Sequence, residues 1–258
     1  MYAVIDSFRF ALHAVLRMEA GLGARPVILV DESLTKPLVV DCTQAAARAG
    51  VIPGLNVAQA IARCEDVAVR YCSAKAEEMA ARVLFDCAYS LSPRVEETDL
   101  GLCTIDLAGV NRERLEFRSQ EMVSELRRQG LQARMGIGAT PDLALLTARE
   151  SKGVLTVGCE ASPPLESFLD GLPIEAAEPS DGMKSIFEQW GIRSVGAFAR
   201  LSRESVGRRL GMEGLAFWDR VSGREERPLR ISELPLVFEE SLDFEYEIDT
   251  LEPLLFVI

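Results

Sequence analysis

Short apolar strands alternate with amphipathic helices over the first 160 residues, and this alternation constrains the fold more than any other feature of the chain. Tyr2–Asp6 and Pro26–Asp31 are apolar runs of strand length, whereas Phe8–Arg17 carries apolar side chains at helical spacing. Strands and helices in this order predict an α/β (α+β) layered structure. Residues 182–223 change to short helices and turns, which predicts a small all-helical unit.

The clearest amphipathic helix is predicted over Ala74–Leu91. Met79, Val83, Cys87 and Leu91 recur at every fourth position and form its expected apolar face, and Ser92-Pro93 ends it. A second long helix is expected over Glu113–Gln129, followed by a strand in which residues 131, 133, 135 and 137 alternate with polar or small side chains.

Composition excludes several classes of protein. Of 258 residues, 48% are hydrophobic and 26% charged, which fits a globular protein with a core, and no apolar run is long enough for a membrane span. Without a basic leader or cleavage site at the N-terminus, we expect a cytoplasmic protein with no membrane contact. Six scattered cysteines fit buried thiols better than a metal site, and the single histidine, His13, excludes most histidine-based catalysis.

Charge is distributed unevenly along the chain. The net charge is −12, which argues against a general nucleic-acid binder. Residues 182–230 nevertheless carry ten Lys and Arg against six Asp and Glu, a net of +4, whereas residues 231–258 carry eight acids and no base. One segment near the C-terminus is therefore basic enough to contact phosphate.

Phe187–Leu201 predicts a helix, a tight hairpin and a second helix. Glycines at Gly191 and Gly196 would let backbone N–H groups approach a phosphate, and nearby cations would add positive charge. The alternative is a helical subdomain with an ordinary glycine C-cap. The expected DNA-backbone contacts are Gly191, Gly196, Arg193, Arg208, Arg209 and Lys184, with Arg224 as a further charge.

The order of these parts resembles the core of a Y-family (translesion) DNA polymerase. The resemblance rests on Met1–Asp6 with FALHAVLR, then RPVILVD, CTQAAARAGVIPGLNVAQAIARC, SPRVEE followed by IDLAG, GIGATP and the Gly191–Gly196 hairpin, all in collinear order. It implies a palm of residues 1–20 and 75–170 with inserted fingers of residues 21–74. A helix-hairpin-helix thumb would follow over residues 171–235, then the linker and the start of a little finger, otherwise mostly absent, over residues 236–258.

At the active-site positions that the resemblance implies, most of the required side chains are missing. The first palm acid matches Asp6, but its partner two residues on is Phe8. The Asp-Glu pair of the family falls on Gly101 and Leu102, within the two short strands of Leu91–Gly109. A phosphoryl-transfer site needs such acids to hold magnesium. The triphosphate-binding Tyr and Arg fall on Gln44 and Ala47, and the palm lysine on Pro141.

This pattern of loss resembles the inactive ImuB-type proteins of the bacterial mutasome. The resemblance implies a DNA-binding scaffold in damage tolerance and induced mutagenesis that is not an enzyme and needs no cofactor or metal. Its implied partners are the DNA backbone, an error-prone replicative-type polymerase, a RecA-like accessory protein and the sliding clamp, contacted mainly by regions beyond this chain.

Two other functions remain open from the sequence. One is an active translesion polymerase whose acids are displaced to Asp6 and Asp99, with Glu97 as a third ligand; Asp99 would lie about 6.6 Å from Gly101 along one strand. The other is a protein-interaction module without DNA contact, consistent with the net charge of −12.

Overall fold

The computed structural model describes residues 1–19, 21–33, 35–158, 163–223 and 227–232. The expected linker and little finger at residues 236–258 lie outside these ranges, as do Cys159 and Arg224. None of the described helices is long and apolar enough to span a membrane.

The strands are β1 (Tyr2–Asp6), β2 (Val27–Asp31), β3 (Leu38–Cys42), β4 (Ala68–Tyr71), β5 (Val95–Asp99), β6 (Leu102–Asp106), β7 (Arg134–Gly138) and β8 (Val154–Thr156). The α-helices are α1 (Phe10–Leu16), α2 (Gln44–Arg48), α3 (Val57–Arg63), α4 (Ala74–Leu91), α5 (Leu115–Arg128), α6 (Pro141–Glu150), α7 (Leu165–Gly171), α8 (Asp181–Trp190), α9 (Val195–Ala199) and α10 (Arg203–Val221).

A five-stranded sheet in the order β5-β6-β1-β7-β8 forms the centre of the fold. Its strands pair antiparallel, except for the parallel pair β7–β8. Asp6 ends β1 and lies opposite Leu102 on one side and opposite Arg134 on the other. The register therefore brings together three side chains that are distant in sequence.

Both faces of this sheet are covered by helices. Ala3 and Ile5 of β1 point into the main core, which α1, α4 and α5 complete. Val4, on the other face, packs against Ala144 and Ala148 of α6. Period-2 alternation along the strand thus separates the two layers.

Gly136 allows α6 to lie close to the sheet. A Cβ atom at Gly136 would lie 2.6 Å from Ala148 Cα, so a larger residue would push the helix away. The small residues of β7 and α6 therefore set the spacing of this layer.

A second sheet, in the order β3-β2-β4, lies beside the first. Val27 and Leu29 of β2 join the main core, whereas Ile28 and Val30 pack with α2 and α3 in a separate cluster. Because β2 is buried on both faces, its continuous apolar run is that of a central strand.

The helix α4 has the predicted bounds but a different buried face. Ala76, Ala80, Leu84 and Ala88 are buried, whereas Met79 is 46% exposed. The prediction that Met79 lies on the core face with Leu91 is therefore wrong, whereas Val83 and Cys87 are half-buried and pack against the main core as predicted. Small alanine side chains, not the larger ones, allow α4 to contact α1 and the sheet closely.

The helices α7–α10 form a C-terminal helical unit. Its core contains Phe187, Phe198, Phe217 and Trp218, and the Phe187 and Phe198 ring centroids are 4.9 Å apart. Leu143 and Leu146 of α6 belong to the same cluster, so this unit packs directly on the main sheet layer.

Residues 227–232 run along the free edge of β5. The Ser232 N–H donates to the Val95 carbonyl at 2.8 Å. Arg227 makes a two-pronged ion pair with buried Glu96, at 2.8 and 2.7 Å, and the Arg230 N–H donates to the same carboxylate at 2.6 Å. A segment that follows the helical unit is thus anchored to the edge of the five-stranded sheet.

Candidate active site and nucleic-acid interface

The carboxylate of Asp6 is held in an ion pair at the end of β1. Arg134 donates from Nε to Asp6 Oδ2 at 2.8 Å, and its Nη2 lies 2.7 Å from the same oxygen. Arg134 also donates to the Arg149 carbonyl and lies over the Phe8 ring, 5.3 Å from the centroid. Asp6 therefore already has a cationic partner at the position where the family resemblance implies a metal ligand.

Gly101 and Leu102 occupy different kinds of position. Gly101 lies in the turn between β5 and β6 with φ +78, and a Cβ atom there would lie 2.7 Å from Phe10 Cβ. Leu102 is half-buried at the start of β6. An aspartate could not be placed at position 101 without moving Phe10, whereas position 102 is a regular strand position.

The displaced acids do not come together. Asp99 ends β5 and, like Asp6, lies opposite Leu102, so β6 separates the two acids by two strand spacings, roughly 10 Å. The expectation that Asp99 and Gly101 share one strand is wrong, because the turn lies between them. Asp99 Oδ1 instead accepts from the Leu100 N–H at 2.7 Å.

The described residues do not fit a magnesium pair as they stand. Magnesium requires several oxygen ligands in near-octahedral geometry. Asp6 faces Arg134, Asp99 is two strands away, and positions 101 and 102 offer no side-chain oxygen. In the part of the chain that the structure describes, no group of three His, Cys, Asp or Glu residues is close enough to hold a metal ion.

Gln44 and Ala47 line a cleft of about 1040 Å³, together with residues of α1, the end of β3 and the segment after α5. In the wall of this cleft, the Arg9 side chain forms an ion pair with Asp41 and donates a hydrogen bond to the Cys42 carbonyl. Arg9 has a left-handed backbone, φ 55, just before α1. Such a conformation costs about 1–3 kcal/mol outside glycine, and here the contacts to β3 maintain it.

His13 lies on α1 in the wall of the same cleft. Burial, and to a lesser extent the charge of Arg9, lower the pKa of His13 below its ordinary value. The neutral form of His13 is therefore favoured in the wall of the cleft.

Pro141, where the resemblance implies a lysine, is the first residue of α6. The hydroxyl of Thr140 accepts from the Leu143 N–H at 3.3 Å and caps the helix. Proline at this position lacks only an N–H that would have no partner within the helix. Thr140 and Pro141 thus explain where α6 begins.

The hairpin residues of the C-terminal helical unit have separate roles. Gly191 ends α8 with φ 69 and has open space around it. Gly196 is buried in α9, where a Cβ atom would lie 2.8 Å from the Asp170 N of α7. Only Gly191 lies in the turn; Gly196 permits two helices to pack.

The predicted cations of this unit differ in how they are engaged. Lys184 pairs with Asp181 at 2.8 Å, and Arg208 pairs with Glu204. Arg209 lies over the Trp190 ring, 5.5 Å from its centroid. Arg193 is exposed in the turn, with no side-chain hydrogen bond or ion pair to any described residue.

The cysteines are structural rather than clustered. Cys42 and Cys103 are buried, Cys64 and Cys87 are half-buried and Cys72 is exposed; all five are free. Burial raises the pKa of Cys103 to about 12. The buried-thiol expectation is thus wrong for Cys72.

Arg134 and Arg9 are site residues that were not predicted from the sequence. Arg134 begins the alternating strand β7 on the face away from the main core, and pairing of β7 with β1 would have placed it beside Asp6. Arg9 gives no comparable signal, because its contact with Asp41 depends on how the two sheets are placed.

Comparisons with known proteins agree with this architecture. A model of the impB/mucB/samB family matches residues 5–149, more than half of the chain. The insertion ternary complex of Dbh DNA polymerase aligns with TM-score 0.72 and 13% identity, over 89% of this chain and 69% of that one. DinB from Sulfolobus solfataricus aligns with TM-score 0.67 and 15% identity over the same shares. Among curated proteins, none matches this sequence.

These comparisons contradict the expectation that the chain is not an enzyme. The matching family is one of polymerases, which are normally enzymes, and the loss of acids at two aligned positions is not positive proof of inactivity. An alignment shows where a relative has its metal-binding acids, but it does not show which side chains of this chain the fold can place close together. With more than half of its length matched, the chain belongs to the impB/mucB/samB family and has the core fold of a Y-family DNA polymerase.

Proposed function

We propose that this chain serves translesion synthesis by binding primer–template DNA, as a scaffold within a damage-tolerance complex. The observation that carries the proposal is the turn after α8. Gly191 reverses the chain there and leaves Arg193 exposed, within a segment of net charge +4 in a protein of net charge −12. A free guanidinium beside open backbone is suited to a phosphate of the DNA backbone.

Two observations support a contact with the DNA backbone that does not read the base sequence. The C-terminal helical unit packs on α6 through Leu143 and Leu146, so the turn is held in a defined position relative to the five-stranded sheet. The structures with a similar fold include a ternary and a binary complex of Dbh DNA polymerase, and the ternary-complex alignment spans 89% of this chain.

The protein partners of such a complex follow only from the resemblance to the ImuB branch. The proposed protein partners are an error-prone polymerase, a RecA-like accessory protein and the sliding clamp. Residues 1–258 would bind the DNA in such a complex.

A second candidate function is nucleotidyl transfer at the end of β1. Membership of a polymerase family favours it. It would require Arg134 to release Asp6, and Asp99 to move toward it across β6.

The test of the first function is a titration of fluorescent primer–template duplex at about 50 and about 200 mM salt, since phosphate contacts release counterions and weaken steeply with salt. Arg193→Ala should weaken binding and lower the salt slope by about one phosphate contact. Arg112→Ala, an exposed arginine before α5, is the matched control and should bind as the wild type does. Binding that is absent, or insensitive to salt, would reject the proposal.

Primer extension with magnesium and all four nucleotides tests the second function. Extension that is abolished by Asp6→Asn would establish nucleotidyl transfer through this acid. Extension that survives Asp6→Asn would exclude Asp6 as a ligand.

A further inference from the structure

A small basic pocket shares Phe8 with the large cleft as a lining residue. Its volume is about 390 Å³, and the described residues that line it are Phe8, Arg127, Arg134, Ser151 and Lys152. We call it the Phe8 pocket. It lies where β7 begins and where the chain leaves α6, at the same end of the sheet as Asp6.

The charge of the Phe8 pocket is opposite to that of the protein. Three of its described lining residues are cations and none is an acid, in a chain of net charge −12. Arg134 is neutralised by Asp6, which leaves the charges of Arg127 and Lys152. The pocket therefore favours an anion.

The Arg127 side chain is hydrogen-bonded to the backbone of Lys152. Arg127 Nη2 donates to the Ala133 and Lys152 carbonyls at 3.3 and 3.2 Å, which holds the end of α5 against the segment before β8. Lys152 is exposed, and its ammonium group has no ion pair with any described residue. The Arg127 guanidinium is thus held against the backbone of Lys152, and both cations line the pocket in which a phosphate would be bound.

Phe8 adds an apolar surface next to these charges. The residue as a whole is 38% exposed, and the Arg134 guanidinium lies over its ring. An exposed aromatic ring beside a positive groove is the combination by which proteins hold single-stranded nucleic acid, with the base stacked on the ring and the phosphate on the cations.

We propose that the Phe8 pocket binds one nucleotide unit of a single DNA strand, with the base against Phe8 and the phosphodiester on Arg127 and Lys152. This inference rests on the proposed DNA-binding function and adds a second contact, distant in sequence from the turn at Arg193. The strand must be unpaired at this point, because a base within a duplex does not expose its face.

The test uses a fluorescent single-stranded oligonucleotide and a matching strand that carries abasic sites. Lys152→Ala should weaken binding of both strands several-fold and reduce the salt slope by about 0.7, the value for one phosphate of a single strand. Phe8→Leu should weaken binding of the normal strand about tenfold and leave binding of the abasic strand unchanged. Lys75→Ala, an exposed lysine on α4, is the control and should have no effect.

The possible failures are distinguishable. If the wild type binds and Arg193→Ala weakens binding, but Lys152→Ala and Phe8→Leu do not, the pocket proposal is wrong and the proposed function stands. If the wild type does not bind at all, both fail. If the two pocket variants lose affinity only for a free deoxynucleoside monophosphate, the pocket holds a free nucleotide and the strand proposal is overturned. Thermal melting of each variant checks that an affinity loss is not unfolding.

Discussion

Arg134 and Asp6 face each other across the β1–β7 pair, and Arg134 Nη2 lies 2.7 Å from Asp6 Oδ2. The acid that a polymerase palm would offer to a metal is here paired with an arginine of the adjacent strand. Both side chains are mostly buried, with exposed fractions of 25% for Arg134 and 17% for Asp6. The negative charge of Asp6 is therefore neutralised by Arg134 of the same protein.

Arg134→Gln should destabilise the protein by about 2–3 kcal/mol, because it leaves a partly buried carboxylate without its cation. Asp6→Asn should cost less, since Arg134 keeps its bond to the Arg149 carbonyl. Urea unfolding of both variants and of the double variant measures the coupling. Additive losses in this cycle would show that the two side chains do not stabilise each other.

Gly101→Asp should lower the free energy of unfolding by about 2–4 kcal/mol, from positive φ and from overlap with Phe10. Gly109→Asp is the matched control, since Gly109 has φ +86 but no atom within 4 Å of a Cβ position. It should lose only about 1 kcal/mol. Denaturant unfolding of both variants separates the cost of positive φ from the cost of overlap with Phe10. Equal losses in the free energy of unfolding would mean that Phe10 moves aside without cost.

Leu102→Glu should behave differently from Gly101→Asp. Position 102 is half-buried at the start of a strand, so we expect a loss of about 1 kcal/mol or less in the same unfolding measurement. A loss as large as that of Gly101→Asp would show that Leu102 is a core residue.

Gly196→Ala should destabilise the C-terminal helical unit by about 2 kcal/mol or more, because the new methyl group overlaps the backbone of Asp170. Gly191→Ala should cost only about 1 kcal/mol, from positive φ in open space. Thermal melting of the two variants compares them. If Gly191→Ala proves the more destabilising, the two glycines have been assigned the wrong roles.

The anchor of residues 227–232 should weaken in acid. Hydrogen bonds from the Arg227 side chain, more than those from the Arg230 N–H and Thr98, lower the pKa of Glu96 below its ordinary value against the opposing effect of burial. Because the folded pKa is the lower one, the ionised carboxylate contributes stability above the unfolded pKa of about 4.3, and this contribution is lost as pH falls through the folded pKa.

Hydrogen exchange of the Ser232 N–H follows this anchor directly. Glu96→Gln should expose it to exchange at pH 7, and the difference from wild type should shrink below pH of about 4. Protection that is unchanged in Glu96→Gln at pH 7 would show that the strand-edge hydrogen bond alone holds the segment.

Local patterns were sufficient for most of the secondary structure. The bounds of β1 and α4 agree with their predictions, because a strand period and a Ser-Pro stop are encoded within a few residues. The buried face of α4 was not encoded in this way. Its apolar residues lie on more than one side, and only the packing of Ala76, Ala80 and Ala88 against neighbouring elements selects the face.

Residue type and spacing were enough to predict the order of strands and helices and to show both the resemblance to a Y-family core and the lack of acids at positions 101 and 102. Only the folded structure shows that Asp6 is paired with Arg134, that Gly196 lets α9 pack closely against α7, and that Phe8, Arg127 and Lys152 line one pocket. These relations join residues far apart in the chain, and strand register and helix packing, which no local pattern records, bring them into contact.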